Sequence, residues 1–174
     1  MIFKELETDR LLLKNISKED NEFILDQFSD DNVNKYLYDA EPMTDITEAD
    51  ELINFYIQPE PRGQHRWILV RKSDGIKMGT CGFHCLDMIH KKIDIGYDLK
   101  KEFWGNGYMQ EAVKAGINYL ILNFDIHRID AHIYYENERS ILLAKRLGFS
   151  FYGEIETCVF GEKEYPHHIY TMYI

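Results

Sequence analysis

The chain has 174 residues, about one domain's worth, enough to bury roughly 70% of its unfolded surface. With 45% apolar, 29% charged and 14% aromatic residues, and no apolar run near the roughly 20 residues a bilayer requires, it excludes a disordered chain and a spanning helix. A net charge of −10, from 20 Lys and Arg against 30 Asp and Glu, argues against a nucleic-acid partner and suits a cationic substrate such as an amine; no membrane partner is expected either.

Arg10 to Lys14 reads as a buried strand, and Ser17-Lys18-Glu19-Asp20 has capping-box spacing, so a helix carrying Phe23, Ile24 and Phe28 is predicted to begin there. Thr47 to Asp50, followed by Leu52, Ile53, Tyr56 and Ile57, predicts a second helix, ended by Pro59, Pro61 and Gly63. From Arg66 the chain turns to strand formers. Trp67 to Arg71, Ile76 to Leu86 and Lys92 to Leu99 predict an antiparallel meander. In the last of these, Ile93, Ile95, Tyr97 and Leu99 alternate with Lys92, Asp94, Gly96 and Asp98, which assigns the odd residues to the core face.

Doublets four apart, Ala112/Val113, Gly116/Ile117 and Leu120/Ile121, predict a third helix over about Met109 to Leu122. Ile129 to Tyr135 alternates as a strand. A fourth helix runs from Asn137 to Leu147, with Asn137 suited to its N-cap, Lys145 and Arg146 to its last turn and Gly148 to the position beyond. Strands over about Phe149 to Val159 and Tyr165 to Tyr173 turn at Gly161. This order excludes a regular doubly wound fold. It predicts a single domain over residues 1–174 of the α/β (α+β) class, a mixed, mostly antiparallel central sheet with helices on its faces.

Three cysteines, Cys81, Cys85 and Cys158, cannot all pair with one another, and Met1 to Glu5 have no signal-peptide architecture, so a cytoplasmic location is expected. No metal is expected at Cys81, His84 and Cys85, because in a regular strand the two cysteines share one face and His84 points to the other.

Phe103-Trp104-Gly105-Asn106-Gly107-Tyr108 places two glycines between a strand and a helix N-terminus. Backbone amides can approach a ligand closely there, and the helix end adds unpaired donors, which makes an anion cradle or an ordinary turn. Gln110 denies a dinucleotide fingerprint its third glycine, and the Gly-Lys-Ser/Thr of a P-loop is missing. Asn137 and Ser140, three apart, face one side of a helix's first turn, with plain capping as the alternative. Gly96 suggests a bulge or a close backbone approach, and Asp94 is a candidate base beside it.

Together these features resemble the GCN5-related N-acetyltransferases, and among them the branch that acetylates ribosomal-protein N-termini. The resemblance rests on Thr8-Asp9-Arg10 with Leu11 to Leu13, Gly79, Gly82, Ile95-Gly96-Tyr97, Trp104 to Tyr108 with Glu111-Ala112, Asn137, Ser140, Leu147-Gly148-Phe149 and Gly153. It implies an acetyl-CoA cosubstrate in a wedge between diverging parallel strands, Lys92 to Leu99 and Ile129 to Tyr135. Gly105, Asn106, Gly107, Tyr108 and Met109 would cradle the pyrophosphate, and Tyr97 and Leu99 would pair with the pantetheine arm. Asn137 and Ser140 would lie near the thioester, with Lys145 as a further phosphate contact.

Met109 replaces the family's usual glycine or alanine, which implies a looser loop-to-helix junction. Ala144 replaces a tyrosine that protonates the departing thiolate, and Ser140 is the substitute the branch suggests. The implied reaction is direct attack of a primary amine, on a protein N-terminus or a small molecule, upon the thioester, with Asp94 as base. An α-amine of pKa about 8 costs only about 1 kcal/mol to present neutral at pH 7, whereas a lysine amine at about 10.4 costs about 4–5 kcal/mol. Residues 30–43, with Tyr36, Tyr38, Asp39 and Glu41, and the late turn near Glu162 to His168 would select the acceptor through aromatic and acidic contacts. A homodimer is implied by resemblance alone. The alternative is a CoA-binding module without transfer activity.

Overall fold

The computed structural model describes residues 3–38 and 40–174. Its strands are β1 (Leu6–Glu7), β2 (Leu11–Asn15), β3 (His65–Arg71), β4 (Lys77–Asp87), β5 (Lys92–Leu99), β6 (Arg128–Tyr134), β7 (Ser150–Phe160) and β8 (Lys163–Tyr173). The helices are α1 (Asn21–Phe28), α2 (Asp31–Asn34), α3 (Ile46–Tyr56), α4 (Tyr108–Asn123) and α5 (Glu138–Leu147). The strands form one eight-stranded sheet in the order β1-β2-β3-β4-β5-β6-β8-β7. Every neighbouring pair is antiparallel except β5 and β6. The mixed, mostly antiparallel sheet with helices on both faces is therefore as expected.

The two faces follow from strand alternation. Trp67 and Leu69 of β3 pack into a core shared with Ala112, Val113 and Leu120 of α4 and with Ala144 of α5. Ile68 and Val70, one residue out of phase, pack instead against Ile24 of α1 and Ala49 and Ile53 of α3. The second layer corrects one expectation. In β5 the even residues do not face solvent: Asp94 is 7% exposed, and the Asp98 side chain is equally buried on the α1 side.

The capping box at Ser17 forms, with Ser17 N donating to Asp20 Oδ2 at 2.8 Å, but it opens a 3-10 turn over Lys18–Asp20 and α1 follows. The short β1 and α2 were not anticipated, because two and four residues carry no readable period. Gly96 is not at a bulge. It sits in register opposite Gly82, and a Cβ there would meet the His84 ring at 3.6 Å and Arg66 Nη2 at 4.0 Å.

Candidate active site

The parallel pairing of β5 and β6 covers three positions, Lys92 with Arg128, Ile93 with Ile129 and Asp94 with Asp130, and then stops. Beyond Asp94 the strands diverge, each still paired to its outer neighbour, β4 or β8. The facing backbone groups of residues 95–99 are thus left without a strand partner inside the fold, which suits an extended ligand that hydrogen-bonds as a strand does.

Two cavities meet at this wedge. One, of about 420 Å³, runs over the glycine loop and the start of α5 and is walled by Leu99, Trp104, Gly105, Gly107, Tyr108 and Met109. The other, of about 340 Å³, lies on the α1 side, with Tyr38, Glu41, His84, His132, Tyr134 and His167 among its walls. Tyr36, Leu37, Tyr97, Asp98, Asn137 and Ser140 belong to both.

In the first cavity Gly105 and Gly107 have φ of 78° and 77°, a left-handed conformation that glycine adopts without a Cβ penalty, and α4 begins at the next residue. The first amides of α4 have no carbonyl one turn back and are donors for an anion. Met109 does not loosen this junction. Its side chain is buried in the core, and Glu111 N reaches Gly107 O at 3.1 Å.

The loop is braced from the turn between β1 and β2. Glu111 accepts from Thr8 Oγ1 at 2.6 Å, from Arg10 N at 2.9 Å and from Arg10 Nε at 2.7 Å. Arg10 Nη1 also donates to Asn106 O at 3.0 Å, and its guanidinium lies over the Tyr108 ring. Burial works against the charge of Glu111, but the Thr8 and Arg10 donors outweigh it and hold the carboxyl below its ordinary range.

The chain carries −10, yet this cavity is cationic. Lys35, Arg139 and Arg146 line it, and the one carboxylate among the described residues that line it, Asp98, is paired with Arg66 at 3.1 Å. Burial pushes Asp98 up, while Arg66, Thr80 and Gln27 stabilise its charged form. Arg139 stacks over Trp104 at 4.0 Å. The site therefore fits a polyanion such as CoA on the chemistry of its own residues. Sequence reasoning missed Arg139 and Arg146, although both fall one helical step from nominated residues. Neither Lys145 nor Asn106 lines the cavity, and the Asn106 side chain points back into the loop, donating to Phe103 O and Trp104 O.

At the junction of the cavities Asn137 caps α5, its Oδ1 accepting from Ser140 N at 3.2 Å, and Ser140 Oγ donates to Tyr97 Oη at 3.0 Å. Burial pushes the Tyr97 hydroxyl up to about 12. Ala144 lies buried in the core. Asp94 does not line either cavity; it lies behind His84 and His132. Burial raises its pKa, opposed by His132, Lys92 and His84.

Tyr36, Tyr38 and Glu41 all line the second cavity; Asp39 lies outside the described residues. Tyr38 stacks on Tyr165 at 3.7 Å and meets Tyr134 edge-on at 4.9 Å, and His167 completes that wall. Of the late turn, His167 alone lines the cavity.

The expected separation of His84 from Cys85 also fails. Cys85 adopts φ 55°, and the register with β5 shifts between His84 and Asp87. The alternation breaks, and donor atoms of His84, Cys85 and Asp94 lie within 4.8 Å of one another, while Cys81 stays in the core. Among the described residues, no helix is long and apolar enough to cross a membrane.

Residues 10–150 match the family model for the acetyltransferase (GNAT) domain. The chain is 33% identical over 174 residues to the uncharacterized N-acetyltransferase YoaA of Bacillus subtilis, covering 98% of this chain and 97% of that relative. Its fold is similar to RimL, a ribosomal alpha-N-protein acetyltransferase in complex with coenzyme A, at TM-score 0.86 and 18% identity over 98% of each chain. It is also similar to spermidine N-acetyltransferase of Vibrio cholerae in complex with CoA and spermine, at TM-score 0.82 and 19% identity over 95% of this chain and 96% of that one. The chain belongs to the acetyltransferase (GNAT) family and is an acetyl-CoA-dependent N-acetyltransferase.

Proposed function

We propose that the protein acetylates a primary amine that enters through the 340 Å³ cavity while acetyl-CoA occupies the 420 Å³ cavity. The observation that carries this reading is their shared wall: Tyr97, Asn137 and Ser140 border both spaces where β5 and β6 part. The amine nitrogen attacks the thioester carbonyl carbon, the C–S bond breaks, and an amide and CoA thiolate form. Backbone donors after Gly96 polarise the carbonyl, and the Ser140–Tyr97 hydroxyl pair supplies the thiolate's proton. The proton leaving the amine passes to Asp94 by way of the histidines in front of it, so Asp94 acts as a positioning and accepting group.

The acceptor is a cationic amine held by the rings of Tyr36, Tyr38 and Tyr134 and by the Glu41 carboxylate. Relatives in fold are named for a ribosomal-protein α-amine and for spermidine, which supports an amine of either size. Nothing in the two joined cavities favours a module that only binds CoA. Three free cysteines support a cytoplasmic, reducing setting. The test is incubation with acetyl-CoA and a panel of polyamines, arylalkylamines and N-terminal peptides, read by thiol release and product mass. Acetylation of one class identifies the acceptor; thiol release no faster than without amine would overturn the reading.

A further inference from the structure

Behind the amine cavity, three unlike donors converge. A ring nitrogen of His84, the sulfur of Cys85 and a carboxylate oxygen of Asp94 are mutually within 4.8 Å. Four ligands around a tetrahedral zinc ion stand roughly 3.3–3.8 Å apart, so rotamer adjustments of about 1 Å close the set. Independently, Asp94 is 7% exposed, and its Oδ1 has no hydrogen-bond partner among the described residues; the nearest ammonium, Lys92 Nζ, stands 3.9 Å away.

A fourth donor is oriented toward the same carboxylate. His132 Nε2, buried and without a hydrogen bond, lies 3.6 Å from Asp94 Oδ2. Its Nδ1 is held by Glu156 Oε2 at 2.6 Å, the carboxylate–imidazole pairing that fixes a metal-binding histidine's tautomer. The neighbouring set of Asp94, Asp130 and His132 is a poorer site for a cation, because Asp130 already faces two: its Oδ1 accepts from Arg128 at 2.8 Å and from the Thr171 hydroxyl, and Lys92 Nζ stands 3.3 Å from its Oδ2.

We propose that His84, Cys85 and Asp94, with His132 as fourth ligand, bind a divalent zinc-class cation at the inner wall of the amine cavity, and that the loaded site blocks acetyl transfer. Two imidazoles, a thiolate and a carboxylate select zinc or cobalt over magnesium or calcium. Binding forms a metal–sulfur bond and releases the Cys85 thiol proton to solvent. Inhibition follows because His84 and His132 both line the cavity through which the amine enters. Only this inhibitory half rests on the proposed function.

The test uses the full chain, reduced and metal-free, titrated with Co2+. We expect one equivalent to produce tetrahedral visible bands and a near-ultraviolet sulfur-to-cobalt charge-transfer band. That band should vanish in Cys85→Ser and persist in Cys158→Ser. No charge-transfer band, or one that survives Cys85→Ser, overturns the site. In the acetylation assay Zn2+ should inhibit reversibly, with chelator restoring the rate, and Cys85→Ser should need at least roughly tenfold more Zn2+ for half inhibition. Equal sensitivity of the two proteins overturns the inhibitory half. Should no amine be acetylated, the cobalt spectrum still decides the metal site, so the two failures remain distinct.

Discussion

Arg10 and Glu111, 101 residues apart, are joined by three contacts: the Arg10 amide to Oε1 at 2.9 Å, Nε to Oε2 at 2.7 Å and Nη2 to Oε2 at 2.6 Å. Because Arg10 also holds the Asn106 carbonyl, the pair fixes the glycine loop from outside the cavity. Glu111→Ala should therefore weaken acetyl-CoA binding roughly tenfold in calorimetry, while thermal unfolding moves little. Unchanged affinity would mean that the loop holds its shape without the brace.

Arg139 and Arg146, with Lys35, supply the positive field of the 420 Å³ cavity, where we place acetyl-CoA. Arg146→Ala and Arg139→Ala should each raise the acetyl-CoA KM several-fold, and the difference from wild type should shrink as salt rises. Rates measured at low and high ionic strength decide it; a salt-independent difference would point to packing, which for Arg139 means its stacking on Trp104.

Ser140→Ala removes the hydroxyl that donates to Tyr97 Oη, and Tyr97→Phe removes its partner. Each should lower kcat by roughly 10 to 100-fold with acetyl-CoA affinity nearly unchanged. The double variant should be no worse than the poorer single one, since the two act as a unit. Additive losses would separate their roles.

Asp94→Asn should cut turnover far more than it changes acetyl-CoA affinity, because Asp94 stands outside the cofactor cavity. A change in affinity alone, by calorimetry, would argue that its role is structural.

His65 stacks on Phe3 at 4.6 Å, with Nδ1 3.1 Å from Arg62 Nη2 and Nε2 3.0 Å from Asn15 Oδ1. One nitrogen accepts and the other donates, which only the neutral ring can do. Burial, then the Arg62 charge, pushes its pKa from 6.5 down to about 3. The unfolded chain binds a proton below about 6.5 that the native ring refuses, so stability present above that pH declines as pH falls toward about 3. The loss from this residue is about 2 kcal/mol between pH 7 and pH 5. Urea unfolding at both pH values should show a smaller difference in His65→Gln than in wild type; equal differences would remove His65 as the cause.

Much of the fold was legible because its signals are local. The β5 alternation, the α4 doublets and the Asn137-to-Gly148 punctuation of α5 each lie within about one element, and the glycine loop sits between them. Long-range relationships were not legible. Thr8, Arg10 and Glu111 could be noticed as a motif, but their hydrogen bonds join the β1–β2 turn to α4, about a hundred residues later in the chain. The cover over Asp98 comes from α1, whose Gln27 donates to it, and that over Asp94 from His84 and His132 on the neighbouring strands, and periodicity in β5 alone discloses neither. The convergence of His84 and Cys85 depends on one positive φ, at a residue type that gives no warning of it. Among cofactor candidates, the resemblance implies Lys145 as a further phosphate contact, whereas the turn of α5 presents Arg146 to the cavity instead.

The partition between the two cavities is made of few residues, Tyr97, Asn137 and Ser140 chief among them. Under the proposed function, a pantetheine arm bound there would complete the chamber that receives the amine, so initial-rate kinetics should show a compulsory sequence, thioester first and nucleophile second. Acceptor screens run without the nucleotide would overlook true substrates.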